Sequence, residues 1–320
     1  MAKSNVITGL DIGSNNIKLL IAEKKQAEKK FNVLFKGEEP SLGVRRGVVI
    51  DVDKVSRAIQ ILIDKARVET GEKVDSAFIN IGGSHLCCNS SQGMVAVSRA
   101  DRNISKEDID RVLDEAAKAL PLSSNQEVLE TFPKEFIIDN LAGIKEAEGL
   151  EGNRLETEIL VLSSFLPYKK NLVQAVLNAD VQVLDIVPSA IAASSAVLSQ
   201  RQKELGVAIL DIGSGTSDLA VFQEGDLVHL AVLPIGSANI TSDIAIGLKI
   251  DVDIAEVIKI KQGIFNSFLA NSTILGIFAP PPVKTIPAGK KFCFEIFFNS
   301  FWTSLKISET LASIILANDF

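Results

Sequence analysis

The chain has 320 residues, of which 47% are hydrophobic and 23% are charged, a composition typical of a globular protein and not of a disordered tail. A formal net charge of -7 offers no basic surface to DNA or RNA, which excludes nucleic acid as an expected partner. Three cysteines, two of them adjacent, can form neither a disulfide framework nor a tetrahedral zinc site, and this favours a reducing compartment. Because the first residues lead straight into a strand-like segment, we expect no signal peptide.

Hydrophobic patterns predict the first elements of the chain. Residues 10–23 read as an apolar strand, a Gly/Ser/Asn turn and a second apolar strand, the pattern of a hairpin. Apolar residues at helical spacing predict an amphipathic helix over 54–67, and Val74–Ile81 is a predicted strand. A helix lying on a sheet is therefore expected directly after the hairpin.

Three further helices are predicted along the chain. Ser105 and Asp108 resemble a capping box at the start of the first, and Pro121 ends it. The second, Pro188–Leu198, is rich in Ala and Ser, which allows two helices to approach closely. The third, Ile240–Leu248, is apolar and follows a turn of small residues.

An internal repeat is the most informative feature of the sequence. When the chain is shifted by 200 residues, the segment from residue 210 reproduces the strand-turn-strand pattern of the segment from residue 10. Six positions are identical: Leu10/Leu210, Asp11/Asp211, Ile12/Ile212, Gly13/Gly213, Ser14/Ser214 and Leu19/Leu219. The duplication predicts two similar halves, each with its own hairpin.

The chemistry of such a turn favours a phosphate ligand. Glycine allows successive N–H groups to point into one concavity, and hydroxyl and amide side chains add donors. Asp11 or Asp211 would repel a phosphate unless a hydrated Mg²⁺ lay between them. Lys18 adds a positive charge on the strand that leaves the first turn. A single turn of this kind usually only connects strands, but two copies favour phosphate binding.

The motifs of other common phosphate-binding and hydrolytic sites are absent from the sequence. No P-loop motif occurs, and neither the H-E-x-x-H nor the G-x-S-x-G pattern is present. A histidine-based hydrolase would need His85 or His229 as its base, and such isolated histidines are more often structural.

The sequence resembles the actin-like ATPase superfamily and, within it, the FtsA family of bacterial cell-division proteins. The resemblance spans roughly residues 6–262. Six stretches carry it: Gly9–Ser14, Ile79–His85, Ser105–Leu113, Val187–Ile191, Leu210–Asp218 and Leu233–Leu248. It implies an α/β, actin-like (ribonuclease H-like) duplicated two-lobe fold with an inserted α+β subdomain and an incomplete second lobe.

The resemblance also implies domain boundaries. We expect the first lobe in residues 1–83 and 163–195, with Pro188–Leu198 crossing between the halves. The inserted subdomain, the interaction domain of the family, is expected in 84–162, the incomplete second lobe in 196–262 and an atypical aromatic-rich tail in 263–320.

The family's function sets further expectations. Such proteins bind ATP with Mg²⁺, polymerise into filaments beneath the membrane, and link FtsZ to the membrane and to later division proteins. The expected location is therefore cytoplasmic, at the inner face of the cell membrane at the division site. Any ATPase activity is expected to be weak, because no clear base is present to activate water, and no catalytic residue is assigned. Two alternatives stay open: a PilM-like pilus-assembly adaptor and a small-molecule kinase.

The resemblance implies site residues at the positions of this sequence that match the family's motifs. Asp11 and Asp211 are the expected magnesium residues, acting through water. Gly236 is expected near the phosphates or sugar, and Glu256 and Lys259 at the ribose and base, although these two could equally form a solvated i,i+3 pair. The expected phosphate residues are Gly13, Ser14, Asn15, Asn16, Lys18, Gly213, Ser214, Gly215, Thr216 and Ser217.

The sequence departs from the family in two places. Ser214 and Ser217 stand where the family usually has glycine and threonine, which is expected to lower phosphate affinity. After Lys261 neither the family's G-G-G adenosine loop nor its C-terminal amphipathic membrane helix is found. Function is therefore expected to be compromised.

Composition changes abruptly in residues 263–320. This segment has 9 of the 16 Phe and the single Trp, but only 7 charged residues in 58. It reads either as an aromatic-rich core segment, with a strand-like run at Phe292–Phe298, or as the product of a frameshift or mis-joined gene. The charge-free stretch Gln262–Val283 is too polar, and too rich in proline at its end, for a membrane span.

Overall fold

The computed structural model describes residues 6–24, 31–262 and 293–298. Their strands form one five-stranded sheet, two four-stranded sheets and a two-stranded ribbon. The predicted hairpins, the predicted helices and the capping box are all confirmed, with ends that differ by a few residues.

The first lobe is built on the five-stranded sheet. In spatial order its strands are β11 (Gln182–Pro188), β6 (Ser76–Ile81), β1 (Val6–Ile12), β2 (Asn16–Lys24) and β3 (Phe31–Pro40). Strand β1 is antiparallel to β2 and parallel to β6, and β11 is parallel to β6. The carboxyl ends of β1, β6 and β11 therefore meet at one edge of the sheet.

Helix α1 (Val52–Thr70) packs on this sheet through its apolar face. The Asp51 side chain accepts a hydrogen bond from the Lys54 N–H at its start, and Gly71 in the left-handed region ends it. The ribbon formed by β4 (Val44–Arg45) and β5 (Val48–Val49) precedes the helix.

The inserted subdomain is a second, four-stranded sheet with one helix. In spatial order its strands are β7 (Cys87–Ala96), β10 (Arg154–Phe165), β8 (Gln126–Ile138) and β9 (Leu141–Ile144). Helix α2 (Lys106–Ala119) packs on it. Burial alone would raise the pKa of Asp108, but hydrogen bonds from Ser105, Ser98 and Arg111 hold that pKa well below its usual range. The capping carboxylate thus anchors the start of α2 to the loop after β7.

Three helices follow the subdomain in the chain, with β11 of the first sheet between the first and the second of them. They are α3 (Leu166–Leu177), α4 (Ser189–Val197) and α5 (Gln200–Leu205). Helix α3 contacts α1, and α4 contacts strands of both large sheets. Four residues of α4 are buried, and all of them are Ala or Ser, in agreement with the close approach expected for this segment.

The second lobe repeats the topology of the first. In spatial order its strands are β14 (Asp226–Leu233), β13 (Ser217–Gln223), β12 (Val207–Ile212) and β15 (Cys293–Phe298). Along the chain, β14 is followed by the helices α6 (Ser237–Leu248) and α7 (Val252–Gln262). Strand β12 is antiparallel to β13 and parallel to β15, as β1 is to β2 and β6. The predicted duplication is confirmed. The aromatic run Phe292–Phe298, whose interpretation stayed open, contains strand β15. The rest of 263–320, including the rejected membrane span after Gln262, lies outside the described residues.

One hydrophobic core runs through the three sheets. It includes Leu160 and Leu162 of β10 together with Leu230 and Val232 of β14, so the subdomain packs against the second lobe as well as the first. Several large apolar side chains of α6 and α7 are exposed, Ile246 the most at 75%. In the part of the chain that is described, no helix is both long enough and apolar enough to cross a membrane.

Candidate functional site

The two hairpin turns are closed in the same way. In the first, the Gly13 N–H donates to the Asn16 carbonyl at 3.2 Å, and in the second, the Gly213 N–H donates to the Thr216 carbonyl at 2.9 Å. The repeat therefore preserves the turn geometry as well as the sequence of the strand that enters it.

The turns of the two lobes lie against each other. An ideal Cβ built on Gly215 would stand 2.9 Å from Ser14 Oγ, closer than real Cβ atoms approach, and 3.2 Å from Arg46 Cα, a tight contact. Ser14 Oγ also accepts a hydrogen bond from the Gly47 N–H at 2.8 Å. The turn of the β4–β5 ribbon, which the sequence did not predict as part of the site, thus joins the two hairpins.

Asp11 lies at the end of β1, where the two lobes meet. Its Oδ2 is 3.8 Å from Lys18 Nζ on the neighbouring strand, and its Oδ1 accepts a hydrogen bond from Asn80 Nδ2 at 2.7 Å. Burial raises the pKa of Asp11, and the Lys18 charge acts against this. Lys18 therefore lies beside Asp11, and both side chains were expected to contribute to the same magnesium-phosphate site.

Asp218 is a site residue that sequence reasoning missed. It is 5% exposed, and its buried Oδ1 has no hydrogen-bond partner among the described residues. Burial raises the pKa of Asp218 to about 7; a hydrogen bond from the Thr216 side chain lowers it, and the Asp11 charge across the lobes raises it. The repeat could have indicated Asp218, because a shift of 200 residues places it at the position of Lys18, which was assigned to the site.

The strand registers explain this position. Asp11 pairs with Lys18 across the first hairpin, and Asp211 pairs with Asp218 across the second. Directly paired residues in antiparallel strands are close neighbours. The second hairpin therefore brings two carboxylates together where the first has one carboxylate and one ammonium group.

Gly236 lies directly against the second turn. The N–H groups of Ser237 and Ala238, at the start of α6, donate to the carbonyls of Gly213 and Ser214, both at 2.9 Å. An ideal Cβ on Gly236 would stand 2.4 Å from the Ser214 carbonyl oxygen. The start of α6 thus supports the second turn.

Glu256 and Lys259 of α7 form the i,i+3 ion pair considered above, at 2.7 Å, and the Glu256 side chain is 42% exposed. The Lys259 side chain is 14% exposed and donates to Thr241 Oγ1 at 2.8 Å and to the Ser237 carbonyl at 3.3 Å. The pair ties α7 to α6 close to Gly236. It is therefore connected to the second turn through the first turn of α6.

The remaining expected residues stabilise the turns in other ways. The Asn15 carbonyl accepts from the Ser41 N–H at 2.8 Å, and Asn16 Nδ2 donates to Glu38 at 3.0 Å. Ser217 Oγ donates to the Ile235 carbonyl at 2.7 Å. This hydroxyl holds the end of β14.

The donor set suits a hydrated cation better than a directly ligated one. Within the described ranges, no three or more His, Cys, Asp or Glu side chains lie close enough together to hold a metal ion. Mg²⁺ keeps several waters and needs only one or two carboxylates besides phosphate oxygens. A buried carboxylate oxygen without a partner, Asp218 Oδ1, is the atom that such a hydrated ion would satisfy.

Two lobes of one topology, joined through α4 and meeting at paired aspartate-glycine hairpins, define a protein of the actin-like class with an inserted subdomain. Two family models match within this frame. The SHS2 domain inserted in FTSA matches residues 83–163, and cell division protein FtsA matches residues 208–279. The second match continues past residue 262, to which the sequence resemblance extended. The domain boundaries given above stay predictions.

Curated relatives agree with these models. Cell division protein FtsA of Pseudomonas aeruginosa is 38% identical over 256 residues, which cover 80% of this chain and 60% of that protein. Its counterpart in Bacillus subtilis is 34% identical over 263 residues, which cover 82% of this chain and 59% of that protein. The chain is an FtsA-like protein, and it spans about 60% of the length of these curated relatives.

A solved structure shares the fold at lower sequence identity. The PilM-PilN type IV pilus biogenesis complex matches with a TM-score of 0.62 and 15% identity, covering 92% of this chain and 81% of that chain. At this identity the likeness concerns the fold alone.

Proposed function

We propose that this chain is an actin-like, ATP-binding cell-division protein that holds one magnesium-bound nucleotide between its two hairpins. The observation that carries the proposal is the contact of the Gly215 turn with Ser14, beside the buried carboxylate of Asp218 and the partly exposed carboxylate of Asp11. Two glycine turns from opposite lobes lie against each other, and the backbone of such turns can supply N–H donors to a chain of phosphates.

Each set of residues has a role in this proposal. Asp11 and Asp211 would hold Mg²⁺ through water, and such an ion would supply positive charge to the phosphates and to the carboxylates of both hairpins. Gly236 and the Glu256–Lys259 pair, joined through α6, form the side of the site that faces the sugar and base. The turn residues that bind phosphate are Gly13, Ser14, Asn15, Asn16, Gly213, Ser214, Gly215 and Thr216.

The nucleotide sets a conformation more than it drives turnover. A ligand that binds the closed arrangement of the lobes better than the open one shifts the population toward closure. Hydrolysis is weak in this proposal.

In the cell, the protein polymerises beneath the cytoplasmic membrane at the division site and links FtsZ to the membrane and to later division proteins. The inserted subdomain supplies the contacts with the later proteins. Sequence similarity to the FtsA relatives supports this role.

Isothermal titration calorimetry tests the nucleotide site. Because the family's G-G-G adenosine loop is not found after Lys261, we expect ATP to bind weakly in the presence of Mg²⁺ and at least tenfold more weakly still in EDTA. Asp11→Asn should lose most of the magnesium effect, because the carboxylate is the group through which the ion is held. Asp64→Asn, at an exposed aspartate of α1, is the matched control and should bind like the wild type. No Mg²⁺-dependent binding by the wild type would overturn the proposal.

A pull-down separates the division role from the pilus role. The chain is presented with FtsZ and, in parallel, with a pilus-assembly peptide. Retention of FtsZ alone supports the proposed role. Retention of the peptide alone would favour the pilus-assembly alternative, whose fold is shared.

A further inference from the structure

The ribbon that precedes α1 has a turn whose backbone conformation suits few residues. The pairing of Arg45 with Val48 leaves a two-residue turn, Arg46–Gly47. Both turn residues have a positive φ, 49° and 75°, as in a type I′ turn. Glycine, asparagine and aspartate adopt this conformation readily, whereas arginine is strained in it. The first position of the turn is therefore occupied by a residue that the backbone disfavours.

Contacts on three sides hold this turn in place. The Gly47 N–H donates to Ser14 Oγ in the first hairpin at 2.8 Å. An ideal Cβ on Gly47 would stand 2.7 Å from the Gly83 nitrogen, just after β6. An ideal Cβ on Gly215, in the second hairpin, would stand 3.2 Å from Arg46 Cα. The backbone of Arg46 is therefore fixed at the point where the two lobes meet.

The side chain of Arg46 contributes no polar contact to the fold. It is exposed, and it forms no hydrogen bond or ion pair with any residue in the described ranges. The strained backbone thus costs stability, and no contact of the guanidinium compensates for it. Such a mismatch between a residue and its backbone conformation is typical of a functional position.

The charges beside the hairpins are predominantly negative. Asp11 and Asp211 end the entering strands, Asp218 follows the second turn, and Lys18 lies 3.8 Å from Asp11. The phosphates of a nucleotide add more negative charge than one Mg²⁺ neutralises. A guanidinium group suits phosphate because its N–H groups form two parallel, charge-assisted hydrogen bonds. An unpaired arginine at the junction of the two turns can supply both the charge and the donors.

We propose that Arg46 is a phosphate-binding residue, kept in a disfavoured turn conformation because its guanidinium binds the nucleotide phosphates where the two hairpins meet. This inference rests on the proposed function and adds a residue to that site from outside the repeated motifs. Because the same turn contacts Ser14 and Gly215, bound phosphate ties the ribbon to both hairpins.

The variant Arg46→Asn separates ligand binding from folding. Asparagine adopts the left-handed conformation more readily than arginine, so the midpoint of urea denaturation should equal or exceed that of the wild type. Isothermal titration calorimetry is carried out with ATP and with inorganic tripolyphosphate, both in the presence of Mg²⁺. Both ligands should bind about tenfold more weakly, because a charge-assisted pair of hydrogen bonds is lost. Tripolyphosphate reports on the phosphate contacts without the adenosine.

The matched control is Arg102→Asn. Arg102 is also an exposed arginine with a positive φ, 59°, but it lies in the inserted subdomain. Its substitution removes the same charge and relieves the same kind of backbone strain, so the affinity for both ligands should stay at the wild-type value. Arg46→Lys keeps the charge without the planar fork and should have an affinity between those of Arg46→Asn and the wild type.

Unchanged affinity in Arg46→Asn would overturn the role of Arg46. Equal losses in Arg46→Asn and Arg102→Asn would also overturn it, because net charge alone would then explain the effect. So would weaker binding together with a lower urea midpoint, which indicates a structural role. If the wild type binds tripolyphosphate but not ATP, the proposed nucleotide function fails, and tripolyphosphate binding by the variants still decides the role of Arg46. A wild type that binds neither ligand would overturn both.

Discussion

The two hairpins share a backbone but differ in charge. In the first, Lys18 stands opposite Asp11, and Asn80 donates to the same carboxylate from β6. In the second, Asp218 stands opposite Asp211, and one Asp218 oxygen is buried without a partner in the described part of the chain. Duplication has therefore kept the turn, while the first lobe balances its carboxylate internally and the second is left with a desolvated acid.

This difference indicates which of the two lobes is stabilised more by a bound cation. A buried carboxylate without compensation costs free energy, and a neighbouring positive charge recovers part of it. The first lobe has that charge in its own sheet. The second obtains it only when a cation enters between the lobes, which makes the second hairpin the more ligand-dependent of the two.

The largest expected effect concerns the support of the second turn. Gly236→Ala should lower the free energy of unfolding by about 3 kcal/mol, because the new Cβ would stand 2.4 Å from the Ser214 carbonyl oxygen and the backbone would have to move. Urea denaturation measures this change. Gly247→Ala in the same helix is the control; nothing lies within 4 Å of its Cβ, so stability should stay the same or rise slightly. Equal effects of the two substitutions would contradict the role of Gly236.

The second-largest expected effect is a pH dependence of stability, which arises from Asp218 in the second hairpin. The folded-state pKa of Asp218, about 7, lies above its ordinary value of 3.8, so the folded protein holds a proton that the unfolded chain releases between these values. The stability of the wild type should fall as the pH rises through this window and level off above pH 7. Asp218→Asn removes this loss and should be more stable than the wild type at pH 8 by on the order of 2 kcal/mol.

Urea denaturation at pH 4, 6 and 8 checks this expectation. At pH 4, close to the ordinary pKa of 3.8, the folded wild-type side chain is protonated and little of the loss has occurred, so the two proteins should have similar stability. If Asp218→Asn retains the wild-type pH dependence, other groups are responsible for it.

The smallest effect compares the turns themselves. An ideal Cβ on Gly13 would stand 2.8 Å from the Asn16 carbonyl oxygen, whereas on Gly213 it would stand 3.2 Å from the Thr216 carbonyl oxygen. Gly13→Ala should therefore cost about 1 kcal/mol more than Gly213→Ala in urea denaturation. A larger cost for Gly213→Ala would show that the second turn is the tighter one.

Local patterns were sufficient to predict much of the fold. The repeat and its glycine turns predicted both hairpins, helical spacing predicted α1, and the Ser105–Asp108 pair predicted the start of α2. These features depend on residues close together in the sequence. The aromatic run was only noted as strand-like, and its partner was not predicted, because the parallel pairing of β15 with β12 joins segments that are far apart in the sequence.

The site was predicted less completely for the same reason. Asp11 and the turn residues belong to a motif that can be read from the sequence. Asp218 becomes a site residue only through strand register and the approach of Asp11 from the other lobe. Asn80 and Arg46 reach the site through contacts made by other elements, and no local pattern marks them.

The most direct measurement uses Mn²⁺ in place of Mg²⁺ together with ATP, and follows the amide NMR signals of the protein. The paramagnetic ion broadens signals from nuclei near it. We expect the amides of residues 13–16 and of residues 213–216 to broaden together, with those of the inserted subdomain unaffected. Broadening at one turn alone, or at neither, would contradict a single metal-nucleotide site shared by the two lobes.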